Sequence, residues 1–136
     1  MTEIFADSGY FIALLLPRDQ HKNTAMRAAA EFEEYHVVTT EMVLVETFAA
    51  SSRQGPQIRE AAINLLQELR NHPKVTIIPQ TPEQFAAAAQ LFAQRLDQRF
   101  SLTDCASFLA MEERGITQAL TFDIDFRAAG FTTAPT

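Results

Sequence analysis

ITQALTFDIDF, residues 116–126, opens as an apolar, β-forming run and closes with two acids two positions apart. The run reads as a short buried strand. A strand leaving a buried sheet has little use for Asp123 and Asp125, because taking a carboxylate out of water is costly. If the sheet is parallel, however, ligands bind just beyond the carboxyl ends of its strands, and acids there acquire a purpose.

Working outward, other segments follow the same logic. EIFAD (3–7) reads as a first strand that also ends in an acid, Asp7, and SGYFIALLL continues as an apolar helix stopped near Pro17. DQHKNTAMRAAAEFEEY (19–35) has helical period, with Ala25, Ala28, Phe32 and Tyr35 on one side. HVVTT (36–40) is the second strand, and a largely buried helix follows over EMVLVETFAASS (41–52). SRQGP (52–56) is the clearest loop, after which Ile58, Ala62, Leu65 and Leu69 mark a helix face, and NHP precedes a third strand, KVTIIP. TPEQFAAAAQLFAQRLDQR (81–99) opens with Thr81, Pro82 and Gln84 as a capping box, and its expected buried stripe is Phe85, Ala89, Phe92 and Leu96. SLTDCASFLAMEERG repeats the device, with Ser101 as cap, Asp104 at N3 and Gly115 at the helix end. After the fourth strand, DIDFRAAGF makes a turn or short helix, and the tail beyond Phe131 adds an edge strand. Strands separated by helices imply a single α/β domain over residues 1–136, a three-layer α/β/α sandwich on a central parallel sheet.

Composition narrows the function. The chain has 136 residues, 47% hydrophobic, without low-complexity tracts, so a packed core is expected. Its single cysteine, Cys105, excludes an intramolecular disulfide and a cysteine-based zinc cluster; it reads as a small buried hydrophobe. No apolar run approaches the roughly 18 residues a bilayer span needs, which makes a cytoplasmic protein with no membrane partner the expectation. The net charge of −6 argues against a general nucleic-acid coat but not against a nuclease, since bound metal ions supply positive charge.

Four of the six Asp residues, Asp7, Asp104, Asp123 and Asp125, fall at the expected carboxyl end of the sheet, and Glu46 sits among apolar neighbours in MVLVETFAA. Each has an ordinary structural alternative. Asp7 could cap the next helix, Asp104 could serve only its capping box, and Glu46 could face solvent or pair with an Arg. One of Asp123 and Asp125 should cap the following turn, and Asp125 is the expected capper. Collected at one place, however, carboxylates a few ångströms apart repel by roughly 4 kcal/mol per pair at an effective dielectric near 20. Four or five of them call for a cation, and all-oxygen ligation suits Mg²⁺ or Mn²⁺ rather than zinc. Such a site fits phosphodiester hydrolysis by metal-activated water.

FADSGYFIALL, MVLVETF, SLTDCASFLAMEERGI and ALTFDIDFRAAGF, in that order, resemble the PIN domain, and more narrowly the VapC-type ribonuclease toxins of bacterial toxin–antitoxin pairs. The resemblance spans Ile4 to Phe131 and implies a Mg²⁺- or Mn²⁺-dependent endoribonuclease. It implies that Asp7, Glu46, Asp104 and Asp123 are the catalytic acids and metal ligands with Asp125 beside them, and that Ser8 and Thr103 position water or phosphate. It further implies a homodimer, restrained by an antitoxin that lays a helix or tail into the groove. Either Asp123 or Asp125 could face the metal; Asp123 is expected to, as the acid that directly follows the strand. RNA contact falls to scattered Arg18, Lys22, Arg53, Arg99 and Arg127, each of which reads more readily as a solvated surface charge.

The rival readings are a non-catalytic module of the same fold whose acids hold a basic partner tail, a phosphoacceptor receiver, and a haloacid-dehalogenase-type phosphatase. A receiver needs an adjacent acidic pair after strand one, where only Asp7 stands, and the phosphatase needs an acid where Gly9 lies. His21, His36 and His72 show no metal-pair spacing, and His21 reads as a surface or helix-start residue. The eleven Phe residues mostly build core, with some on the early helices available for a dimer surface.

Overall fold

The computed structural model describes residues 1–135. Strands β1 (Glu3–Ala6), β2 (His36–Thr40), β3 (Val75–Ile78), β4 (Gln118–Leu120) and β5 (Thr132–Ala134) form one all-parallel sheet in the order β3-β2-β1-β4-β5. Helices α1 (Ser8–Leu15) and α2 (Lys22–Glu31) connect β1 to β2; α3 (Glu41–Ser51) and α4 (Pro56–Asn71) connect β2 to β3. Helices α5 (Pro82–Gln94) and α6 (Leu102–Arg114) lead to β4, and α7 (Asp125–Ala128) leads to β5.

The strand order reverses direction between β1 and β4. Because βαβ crossovers are right-handed, connections running outward on the two sides of that point cover opposite faces of the sheet, which produces the three layers. The reversal also opens a crevice at the carboxyl ends of β1 and β4. Burial follows: Ile4, Phe5 and Ala6 are all fully buried, as a parallel strand covered on both faces must be.

The backbone ties the two crevice walls together beyond the strands proper. Asp7 N–H donates to the Leu120 carbonyl at 3.0 Å, and Thr121 N–H donates to the Ala134 carbonyl at 3.0 Å. Phe126 on α7 packs edge-on against Phe108 of α6, with ring centroids 5.0 Å apart, and lies 6.3 Å from Phe5. That aromatic cluster anchors the short TFDIDF segment to the core.

Several expectations are corrected. On α5 the buried face is Gln84, Ala88 and Leu91, one position out of phase with the expected stripe; Phe85 and Phe92 are each 47% exposed and Leu96 is 82% exposed. Small Ala88, fully buried, lets α5 pack close against α6, and the bulky Phe rings remain outside. Helix α5 also stops at Gln94, five residues short of the expected end. Helix α3 is not largely buried: Val43, Leu44 and Thr47 face the core, while Val45 is 68% exposed. The exposed Phe side chains therefore lie on α5, not on the early helices. Strand β4 ends at Leu120, so Thr121 and Phe122 separate it from Asp123.

Candidate metal centre

Local chain geometry places Asp104 and Asp123, and hydroxyls from distant segments hold Asp7 and Glu46. Asp7 stands at the N-cap of α1, yet its side chain makes no capping hydrogen bond; instead Thr121 Oγ1 donates to Asp7 Oδ2 at 2.8 Å. Asp104 is held by its capping box, its Oδ2 accepting from Ser101 N–H at 3.0 Å while Asp104 N–H donates to Ser101 Oγ at 3.0 Å. Asp123 Oδ1 accepts from Asp125 N–H at 2.9 Å. Asp123, not Asp125, therefore caps the turn, because the Asx geometry reaches the amide two residues on. The Asp123 amide in turn donates to Thr121 Oγ1 at 3.0 Å. Glu46 is half-buried on α3 and accepts from Ser8 Oγ at 2.8 Å, and among the described residues it pairs with no Arg.

Three of the five acids meet at ligand distance, and Asp7 and Glu46 lie within reach of their charge. Asp104, Asp123 and Asp125 each offer a carboxylate oxygen within 4.8 Å of the others. Asp7 is close enough to Asp104 and Glu46, and Asp104 to Asp123 and Glu46, for their charges to act on one another. Burial pushes the Asp7 carboxyl up to about 7; repulsion from Asp104 and Glu46 adds to this, against hydrogen bonds from Thr121 and the Ser8 amide. Burial likewise lifts Asp104 to about 6, opposed by the Ser101 hydrogen bonds and reinforced by Asp123 and Glu46. Asp125 is raised by burial and then by Asp123, with Arg99 pulling the other way.

These observations fit a divalent cation. The donors are all oxygen, as Mg²⁺ and Mn²⁺ require. Opposite ligands around such an ion stand about 4.2 Å apart, so a group spanning 4.8 Å closes on it with small side-chain movements. Asp104 and Asp123 each have one oxygen fixed by a backbone amide and a second oxygen left for an ion, an arrangement in which outer hydrogen bonds orient the ligands.

Among the other expected residues, Ser8 is engaged with Glu46, and Thr103 is 8% exposed in the first turn of α6 beside Asp104. Lys22 Nζ donates to the Leu14 carbonyl at 2.7 Å and so caps the end of α1. Arg127 Nε donates to Thr133 Oγ1 at 2.8 Å, against the edge strand. Arg18, Arg53 and Arg99 are exposed, and Arg99 is the one whose charge reaches the acids. Cys105 is fully buried and its thiol is pushed up by burial, as a core residue.

Sequence reasoning missed Thr121. Its hydroxyl holds Asp7 on one side and the Asp123 amide on the other, joining the ends of β1 and β4. The available signal was a β-forming hydroxyl residue between the strand and the acid pair.

Comparison with known proteins agrees with this geometry. The PIN-domain profile matches residues 4–132. The chain is 33% identical over 133 residues to the 23S rRNA-specific endonuclease VapC20 of Mycobacterium tuberculosis, covering 94% of this chain and 95% of that protein. The crystal structure of M. tuberculosis VapC20, described as a sarcin–ricin loop cleaving toxin, superposes with a TM-score of 0.83 at 30% identity, covering 95% of this chain and 96% of that one. FitAcB from Neisseria gonorrhoeae shares the fold with a TM-score of 0.64 at 16% identity, covering 96% and 95% of the two chains. With the profile spanning nearly the whole chain and the acids gathered at the β1/β4 crevice, the chain belongs to the PIN-domain family, within its VapC-type toxin branch.

Proposed function

We propose that this chain is a Mg²⁺- or Mn²⁺-dependent endoribonuclease, the toxin of a type II toxin–antitoxin pair, and that its substrate is a loop of 23S ribosomal RNA. The observation that carries the reading is the cluster of Asp104, Asp123 and Asp125 within 4.8 Å of one another, with Asp7 and Glu46 close enough for their charges to act on it. The substrate follows the relative that is specific for 23S rRNA.

In this reading Asp7, Glu46, Asp104 and Asp123 are the catalytic acids; they hold the metal, with Asp125 beside them. A bound divalent ion would polarise the phosphate and lower the pKa of an attacking water. Thr121 and Ser101 keep Asp7 and Asp104 in place, and Ser8 holds Glu46 where it orients the water and receives its proton. Thr103, next to Asp104 in the first turn of α6, positions phosphate. Arg99, with Arg18 and Arg53, steers the RNA backbone; Lys22 and Arg127 contribute charge from their anchored positions. Attack by water leaves a 3′-hydroxyl and a 5′-phosphate.

Two partners complete the proposal. One is a cognate antitoxin whose Arg reaches the acids. The other is a second copy of the chain, meeting the exposed Phe85 and Phe92 of α5 and Leu96 just beyond it. Among the described residues no helix is long and apolar enough to cross a membrane, and the proposed site of action is the cytoplasm, where ribosomes are.

The test is cleavage of a sarcin–ricin-loop hairpin by purified protein with Mn²⁺. Wild type should cut once and stop on chelation, while Asp7→Asn and Asp104→Asn should keep the fold and lose cleavage. Unchanged cleavage by either variant would refute the proposal.

A further inference from the structure

We propose that His21, stacked on Phe122, forms a nucleobase platform beside the acid cluster and grips the RNA next to the scissile phosphate. The inference rests on the nuclease reading, which supplies the RNA. The two rings lie face to face, with centroids 4.0 Å apart and planes 7° from parallel. Phe122 is the residue between Thr121, which holds Asp7, and Asp123, so the stack is attached directly to the cluster. Its ring lies against the first turn of α1, within 3.9 Å of where a side chain on Gly9 would begin. The pair therefore borders the crevice on the Asp7 side.

His21 differs from the other two histidines. His36 Nε2 is hydrogen-bonded to Thr76 Oγ1 at 2.7 Å, and His72 Nδ1 accepts from Lys74 N–H at 3.0 Å. Both are tied into local structure. Among the described residues neither ring nitrogen of His21 has a hydrogen-bond partner, and the side chain remains half-exposed. Its position is fixed instead through the backbone, His21 N–H donating to Asp19 Oδ1 at 2.8 Å. A held aromatic ring with free polar edges is what a base needs: a π-face to stack on and nitrogens that reach base edge or phosphate. Arg18 and Lys22 flank it in sequence and supply positive charge for the adjoining backbone.

The experiment uses full-length protein and a single-stranded RNA carrying 2-aminopurine, read by fluorescence quenching, alongside Mn²⁺-dependent cleavage kinetics. His21→Ala should weaken RNA affinity and raise KM about tenfold, leaving kcat, Mn²⁺ affinity and the melting temperature close to wild type. His21→Phe should recover most of the affinity, because the stacking face is restored. RNA affinity untouched in His21→Ala would overturn the platform and leave the nuclease reading intact. Equal losses in His21→Ala and His21→Phe, with lowered melting temperatures, would make the stack merely structural and also overturn it. Quenching that depends on His21 in a wild-type protein without Mn²⁺-dependent cleavage would uphold the platform and refute the nuclease.

Discussion

Replacing Asp7 by Asn should make the metal-free protein more stable at alkaline pH. Asp7 is 5% exposed, and its carboxyl is lifted from 3.8 to about 7 by burial and by its acidic neighbours. Between those values the native state keeps a proton that the unfolded chain has released. The contribution of Asp7 to stability is therefore greatest below pH 3.8, falls as pH rises through the window, and is lowest above about 7. Ionising the buried group costs on the order of 4 kcal/mol of folding free energy. Asn avoids the charge, while its carbonyl still accepts from Thr121 and its amide faces Asp104 and Glu46. For a chain of this length each kcal/mol moves the melting temperature by about 3 °C. In EDTA at pH 8 Asp7→Asn should melt roughly 10 °C above wild type, and at pH 4 the gap should shrink below about 1 kcal/mol. Mn²⁺ at a hundred times its Kd should narrow the gap by about 2.7 kcal/mol, since an ion stabilises only the protein that binds it. The assay is thermal denaturation by circular dichroism across pH, with and without Mn²⁺. An Asn variant melting at or below wild type at pH 8 in EDTA, or a gap independent of pH, would refute the electrostatic reasoning.

Thr121→Val should remove the link between the two strand ends, leaving the Asp123 amide and Asp7 Oδ2 without a partner. A loss of about 1–3 kcal/mol in urea unfolding is expected, with the alkaline rise of Mn²⁺-dependent cleavage moved to higher pH because Asp7 loses a hydrogen bond that lowers its pKa. Ser101→Ala should cost about 1 kcal/mol, since Asp104 N–H loses its Ser101 Oγ acceptor, and weaken Mn²⁺ binding measured calorimetrically only slightly, since the Ser101 N–H that holds the Asp104 carboxylate is kept. Phe92→Glu on the exposed face of α5 should weaken self-association by on the order of 2 kcal/mol in sedimentation equilibrium without lowering the melting temperature; an unchanged dimer would place the contact elsewhere.

Much of this arrangement was legible from local chemistry. The capping boxes at Thr81 and Ser101 and the Gly115 terminator are written in short-range patterns, and the structure realises each. The acids were visible because carboxylates at strand ends are rare without a reason, and parallel topology predicts where they meet. What escaped depends on partners distant in the chain. Helical period sets the spacing of a stripe on α5 but not which of two neighbouring stripes turns inward; hydrophobicity favours the Phe face, whereas close approach to α6 favours Ala88. Thr121 resembles any β-forming residue until Asp7 is brought beside it from 114 positions away. The capping roles of Asp123 and Asp125 were exchanged for a similar reason: β4 ends at Leu120, which shifts the turn and sets Asp123 at its start.

The most direct measurement is an anomalous difference map from crystals of the protein grown or soaked with Mn²⁺. A peak coordinated by oxygens of Asp7, Asp104 and Asp123, and absent in Asp104→Asn crystals, is the result expected. Well-ordered acids with no peak among them at millimolar Mn²⁺, or a peak that survives in Asp104→Asn, would contradict the account.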